Sequence, residues 1–150
     1  GRRVEPVRTW HGVLWVNDPI AAAPERVLAA LDSYEGPLVI LSGGRDKDLP
    51  WEAYAQRVVE RVRVLVLFGE AAPLIEAHVR QAQAETPQKL QALEAVVRAG
   101  TLEDAVQAAA ERAEAGEVVL LSPGGTSFDA YEDFAERGDH FKALVKQLGN

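Results

Sequence analysis

The chain has 150 residues, of which 47% are hydrophobic, and a formal net charge of −7. This length and apolar content suit one globular domain with its own core, whereas the negative charge disfavours nucleic acids and anionic membranes as partners. Because there is no cysteine, disulfides and thiolate metal sites are excluded, and a cytosolic protein is expected.

Apolar runs alternate with helix signals along the chain. Residues 4–10 alternate weakly and predict an edge strand, and short apolar runs predict buried strands at 12–18, 37–42, 63–68 and 118–121. Helices are predicted from residue 24 to about 35, 50 to about 61, 73 to about 83, 101 to about 115, and 139 to 148. Residues 88–98 stay open between helix throughout and a helix that gives way to a short strand at 95–98.

Two kinds of helix start support these assignments. Pro24 and Pro50 stand where proline is favoured, in the first turn of a helix. Thr101 and Asp104 have the spacing of a capping box. Strands that alternate with helices of this length predict a single α/β domain, 1–150, whose mostly parallel sheet carries helices on both faces in three αβα layers.

One stretch combines a strand, a loop and a helix start. The strand at 118–121 is expected to break at Ser122-Pro123-Gly124-Gly125, because proline and two glycines disfavour either regular structure. Helix signals follow, with Ser127 placed to cap and apolar residues spaced at Phe128, Tyr131 and Phe134. Open α/β sheets bind ligands at such a junction, and a helix start there favours an anion.

Polar or glycine-rich loops follow three strands and should meet at one edge of the sheet. They contain Asn17-Asp18, the run 43–47 and the run 122–127. Lys47 is either a cation for a carboxylate or phosphate, or a solvated loop lysine, and Asp18 is either a site residue or a turn residue. The three histidines lie far apart in sequence, so no histidine metal site is expected.

Several catalytic motifs do not occur in the sequence. There is no Gly-x-x-x-x-Gly-Lys-[Ser/Thr], no Gly-x-Gly-x-x-Gly and no Gly-x-Ser-x-Gly. No arrangement of these residues is expected to carry out a bond-making step unaided.

The wording of several motifs resembles the C-terminal domain of the Mur ligases. Residues 121–129 read LSPGGTSFD, and Arg-Val-Glu at 3–5, Val-Asn-Asp at 16–18, GGRDK at 43–47 and GEVVLLSP at 116–123 follow the family pattern in the same order. Within the family, these motifs are most similar to those of the members that add D-glutamate. The resemblance covers the whole chain and implies a Rossmann-like domain.

The resemblance also implies an activity for a longer polypeptide. In such ligases ATP, with Mg²⁺, phosphorylates the carboxylate of UDP-N-acetylmuramoyl-L-alanine, and the amine of D-glutamate attacks the acyl phosphate to form an amide. ATP, Mg²⁺ and the UDP group would be bound mainly by preceding domains of the same monomeric, cytoplasmic protein, and this domain alone would be inactive. The sequence has no methionine, which also predicts an excised domain.

The family motifs imply roles for individual residues. Around the D-glutamate carboxylates they place Lys47, Ser127 and Phe128, with Phe134 lining the pocket. Asn17 and Asp18 would face the nucleotide across a cleft between domains. Neither a catalytic residue nor a metal ligand is implied within this domain.

The chain departs from the family pattern after Asp18. Pro19 and Ala22 stand where serine and threonine are common, and Ala22 occupies a position implied to contact glutamate. Weaker glutamate binding follows, or a group from elsewhere completes the pocket. An alternative that the sequence leaves open is a free-standing α/β module that binds a small ligand without catalysis.

Overall fold

The computed structural model describes residues 4–18, 24–45, 50–124 and 134–149, with Phe134 described by its backbone alone. Its strands are β1 (Glu5–Trp10), β2 (Val13–Asn17), β3 (Leu38–Gly43), β4 (Val62–Phe68), β5 (Ala95–Arg98) and β6 (Val118–Gly124). Its helices are α1 (Pro24–Asp32), α2 (Glu52–Arg61), α3 (Ala72–Glu85), α4 (Leu102–Arg112) and α5 (Phe134–Lys146), and Gln88–Leu90 form a 3₁₀ turn.

The strands form one sheet in the order β1-β2-β6-β3-β4-β5. β1 pairs antiparallel with β2, and the remaining neighbours pair in parallel. β6 lies between β2 and β3, so the connection through α1 crosses over it. The mostly parallel sheet is confirmed, as is the edge position of β1.

Helices cover both faces of the sheet because alternate residues of each buried strand point to opposite sides. Ile40 and Leu65 pack in one core with residues of α1, α2 and α3. Leu41 and Val66 pack in a second core with residues of α4 and α5. All residues of β3 are buried, which explains its continuous apolar run, and the three αβα layers are confirmed.

Strand β6 is longer than its sequence predicts. The predicted break at Ser122-Pro123-Gly124 is wrong, because β6 continues to Gly124. The register with β3 shifts so that Leu41 pairs with Leu121 but Gly43 with Gly124. An irregularity of this kind accommodates proline, which lacks an N–H for the ladder.

Helix α5 also differs from its prediction. It begins at Phe134 and passes through Gly138, so a closing helix that starts at residue 139 is wrong. Residues Ser127, Phe128 and Tyr131, which predicted an earlier helix start, lie outside the described residues. In the ambiguous segment the strand at Ala95–Arg98 is confirmed and helix throughout is wrong, because residues 91–94 are not helical.

The capping box is confirmed in α4. The Asp104 N–H donates to Thr101 Oγ1 over 3.1 Å, and the Thr101 N–H donates to Asp104 Oδ2 over 3.3 Å. Each contact satisfies an N–H that the helix itself leaves unpaired.

Candidate functional site

The chain leaves β2 and β6, which are neighbours, toward opposite faces of the sheet. α1 packs in the first core and α5 in the second. Open α/β sheets bind ligands outside the carboxyl ends of the strands at such a point of divergence. We call the two strand ends, Asn17–Asp18 and Ser122–Gly124, the switch-point edge.

Asn17 and Asp18 are brought to the switch-point edge by β2. Asn17 pairs with Leu121 of β6, and the Asp18 N–H donates to the Leu121 carbonyl over 3.1 Å. Asp18 is only 7% exposed. Burial raises the pKa of Tyr34, and the negative charge of Asp18 raises it further. A carboxylate is therefore held, largely buried, at the exit of β2.

The Asn17 side chain is enclosed by residues from β1 and α5. Its Nδ2 donates to Glu5 Oε1 over 2.9 Å, and the same carboxylate lies 3.4 Å from Lys142 Nζ. A Cβ atom at Gly138 would lie 2.9 Å from Asn17 Nδ2. Among the described residues Asn17 Oδ1 has no hydrogen-bond partner, although it is buried.

On its other side, β6 is contacted by a serine hydroxyl of β3 and by the ring of Trp51. Ser42 Oγ donates to the Ser122 carbonyl over 2.9 Å. Burial raises the pKa of the nearby Tyr54 phenol, and the Ser42 side chain opposes this only in part. Gly124 has a φ of +78°, and a Cβ there would lie 2.9 Å from the Trp51 ring. Glycine is therefore needed at the end of β6 for both conformation and space.

The structure describes only part of the predicted site. Asn17 and Asp18 lie together, buried, beside the end of β6. Phe134 begins α5, and its side chain is outside the description. The remaining predicted glutamate-site residues lie outside the described residues: Ala22, Lys47, Ser127 and Phe128.

Sequence reasoning missed the residues that surround Asn17. Glu5 and Lys142 are separated by 137 positions, so no local pattern links them. One signal was present, because glycine inside a helix lowers its stability and indicates a packing reason. For Gly138 the packing reason is its close approach to Asn17.

Two other features lie away from the switch-point edge. A cavity of about 570 Å³ lies at the amino ends of β3 and β4, and Pro37, Arg61 and Arg63 are among its lining residues. Arg61 donates to the carbonyls of Leu31, Tyr34 and Gly36, so it already closes the segment after α1.

Within the described ranges no group of three or more His, Cys, Asp or Glu side chains could hold a metal ion. The helices of this same part of the chain are all too short or too polar to cross a membrane.

Comparison with known families identifies the family of the chain. The family model described as "Mur ligase, glutamate ligase domain" matches residues 2–125. The chain belongs to the Mur ligase family. The family expected from the motifs is therefore confirmed.

Curated relatives in the Mur ligase family are longer proteins. The chain is 44% identical over 146 residues to a UDP-N-acetylmuramoylalanine–D-glutamate ligase of Symbiobacterium thermophilum, covering 97% of this chain and 30% of that protein. It is 39% identical over 147 residues to the ligase of the same name from Acetivibrio thermocellus, covering 97% and 31%. The chain thus spans about a third of the curated relatives it matches.

Solved Mur ligase structures share the fold. A murein peptide ligase from Psychrobacter arcticus aligns with a TM-score of 0.66 at 12% identity, over 99% of this chain and 31% of that one. An ADP complex of MurF ligase from Thermotoga maritima aligns with a TM-score of 0.56 at 18% identity, over 99% and 33%. These similarities support the α/β architecture of the Mur ligase domain.

Proposed function

We propose that the chain is the C-terminal, amino-acid-binding domain of a ligase that joins D-glutamate to UDP-N-acetylmuramoyl-L-alanine in peptidoglycan precursor synthesis. The similarity to ligases of that name, at 44% and 39% identity over 97% of the chain, carries this proposal. Because the chain spans only about a third of those proteins, preceding domains of the same monomeric, cytoplasmic polypeptide would complete the enzyme.

The proposed reaction has two steps. A carboxylate oxygen of UDP-N-acetylmuramoyl-L-alanine attacks the γ-phosphorus of ATP, and ADP leaves. The amine nitrogen of D-glutamate then attacks the acyl carbon, the bond from carbon to the phosphate oxygen breaks, and phosphate leaves as the nitrogen loses a proton. Mg²⁺ would neutralise charge on the phosphates. We assign it to the preceding domains, since no suitable acidic cluster occurs in the described part of this one.

This domain would bind and orient the substrates. Lys47, Ser127 and Phe128 are proposed to surround the D-glutamate carboxylates, with Phe134 lining the pocket. Asn17 and Asp18 are proposed to face the nucleotide, which is supported by their position at the switch-point edge. Ala22 lacks a hydroxyl for glutamate, so binding would be weaker unless a group from elsewhere completes the pocket.

A comparison of the 150-residue chain with the full-length polypeptide tests this proposal. We expect the full-length protein to form the D-glutamyl amide when ATP and both substrates are present. The short chain should form no product and hydrolyse no ATP, because it contains no P-loop. Failure of the full-length protein to consume D-glutamate, or ATP hydrolysis by the purified short chain, would contradict the proposal.

The upstream reading frame provides a second test. A P-loop roughly 200 to 300 residues ahead, the span of two ordinary domains, is expected. Its absence would instead support a free-standing binding module without catalysis.

A further inference from the structure

Asn17, the last residue of β2, is fixed by groups that lie far from it in sequence. Glu5 accepts a hydrogen bond from Asn17 Nδ2 over 2.9 Å, and Lys142 Nζ lies 3.4 Å from the same carboxylate. The contact joins β1, β2 and α5 at the switch-point edge. We call Glu5, Gly138 and Lys142 the Asn17 clamp.

The clamp decides which way the carboxamide faces. A carboxylate accepts hydrogen bonds but does not donate them, so Glu5 holds the NH₂ group and turns Oδ1 to the other side. A carboxamide without such a partner can rotate by half a turn and exchange its donor and acceptor. Because Asn17 is 2% exposed, its orientation is set by the protein groups that surround it.

Gly138 leaves the space that the Asn17 carboxamide occupies. Glycine is unfavourable inside a helix relative to alanine, and the φ of Gly138 is not positive. Its conformation therefore does not require glycine. The lack of space around it does require glycine, because a Cβ atom would lie 2.9 Å from Asn17 Nδ2 and 3.5 Å from Oδ1.

The orientation leaves one group without a partner. Oδ1 is buried and accepts no hydrogen bond within the described part of the chain. A buried acceptor of this kind is costly unless another molecule satisfies it. A buried acceptor at this position suits a ligand that presents a hydroxyl or amino donor, and it disfavours a bare phosphate oxygen.

We infer that Glu5 and Gly138 are positioning residues of the ligase, which hold Asn17 so that Oδ1 accepts a hydrogen bond from a hydroxyl or amino group of the nucleotide. This inference rests on the proposed function, in which Asn17 faces the nucleotide. Lys142 supports it by keeping the Glu5 carboxylate in place.

The test uses the full-length ligase and three substitutions. Glu5→Ala frees the carboxamide, and we expect the KM for ATP to rise about three- to tenfold, as for one lost hydrogen bond, with little change in the KM for D-glutamate. Glu5→Gln keeps an acceptor oxygen for Nδ2 and should restore most of the ATP affinity. Gly138→Ala should resemble Glu5→Ala, whereas Gly149→Ala, whose Cβ would contact nothing within 4 Å, should match the wild type.

A binding measurement separates this inference from the proposed function. ADP affinity by calorimetry should fall by the same factor in Glu5→Ala and Gly138→Ala, even in a protein that forms no D-glutamyl product. The inference is overturned if ADP affinity and ATP KM stay unchanged in Glu5→Ala, if Glu5→Gln is as impaired as Glu5→Ala, or if both substrates are affected equally. An increase in thermal stability of Gly138→Ala with normal ADP binding would also overturn it.

Discussion

Arg63 and Glu117 form a two-point ion pair at the amino ends of β4 and β6. Arg63 Nε lies 2.6 Å from Glu117 Oε2, and Nη2 lies 2.8 Å from Oε1. The Glu117 side chain is 4% exposed and that of Arg63 is 18% exposed. The same carboxylate accepts the Glu114 N–H over 2.7 Å. The pair therefore joins β4 and β6, which lie on either side of β3, to the segment that follows α4.

Breaking this pair should destabilise the fold far more than breaking an exposed one. Glu117→Gln removes the nearest and most buried counter-charge of Arg63, leaving only the exposed carboxylates of Glu94 and Glu114 at 3.5 and 4.0 Å, and we expect a loss of about 3 kcal/mol in the free energy of unfolding. The matched control is Asp32→Asn, which removes the partner of Arg57 in a pair whose side chains are 57% and 38% exposed. That change should cost under about 1 kcal/mol. Urea unfolding measures the free energy of unfolding of both variants. Equal losses would show that the buried pair stabilises the fold no more than the exposed one.

The same pair should make stability depend on acid pH. Burial by itself would raise the pKa of Glu117, but the hydrogen bonds from Arg63 and the Glu114 N–H, with the attraction of Arg63, lower it below the ordinary 4.5. Since the folded protein then binds the proton less tightly than the unfolded chain, stability from this carboxyl is complete above about pH 4.5 and is lost as the pH falls through its lower folded value.

A comparison across pH isolates this effect from other carboxyls. The difference in unfolding free energy between wild type and Glu117→Gln should stay constant from about pH 7 to about pH 5 and shrink toward about pH 3. A difference that stays constant over the whole range would show that Glu117 does not titrate as stated.

Gly43, the last residue of β3, should tolerate no side chain. A Cβ atom there would lie 1.8 Å from the Phe68 carbonyl oxygen and 2.8 Å from its carbon. Because these are backbone atoms of the paired strand β4, they cannot move aside alone, and Gly43→Ala should cost about 3 kcal/mol, the upper end for overpacking. Thermal and urea unfolding would measure it against Gly149→Ala, for which no change is expected. Equal stability of the two variants would contradict the close approach.

The sheet was predictable from the sequence because its strands are local apolar runs. β2, β3 and β4 are each continuous and almost wholly buried, and the capping box of Thr101 and Asp104 marked the start of α4. The end of β6 was not predictable, since its three extra residues depend on pairing with β3, which lies about 80 positions away. Long-range pairing overrides the local preference of proline and glycine for loops.

The site was predictable only where a motif carries it. Asn17 and Asp18 follow an apolar strand and match a family motif, and the structure places them at the switch-point edge. The roles of Glu5 and Gly138 were not apparent, because β1 and α5 lie at opposite ends of the chain and no local pattern links them. The side-chain positions of Lys47 and Ser127 lie outside the described residues, so their roles stay predictions.

Substitutions in the full-length ligase should separate the two proposed substrate sites. A lysine–carboxylate contact is charge-assisted, so Lys47→Ala should cost about 1.5–3 kcal/mol of D-glutamate binding, which is about a ten- to hundredfold rise in its KM. Ser127→Ala removes one hydrogen bond to a charged group and should lie at the lower end. Neither change should alter the KM for ATP to a similar degree.

Asp18→Ala should show the opposite pattern. Asp18 is 7% exposed and lies at the exit of β2, so its loss should raise the KM for ATP more than that for D-glutamate, by about tenfold for one charge-assisted contact. Steady-state kinetics with each substrate varied in turn decide between the sites. An unchanged glutamate dependence in Lys47→Ala would make Lys47 a solvated loop residue. An Asp18→Ala variant that affects only D-glutamate would place Asp18 in the amino-acid pocket, because its carboxylate would then be near the amine of D-glutamate and not near the nucleotide.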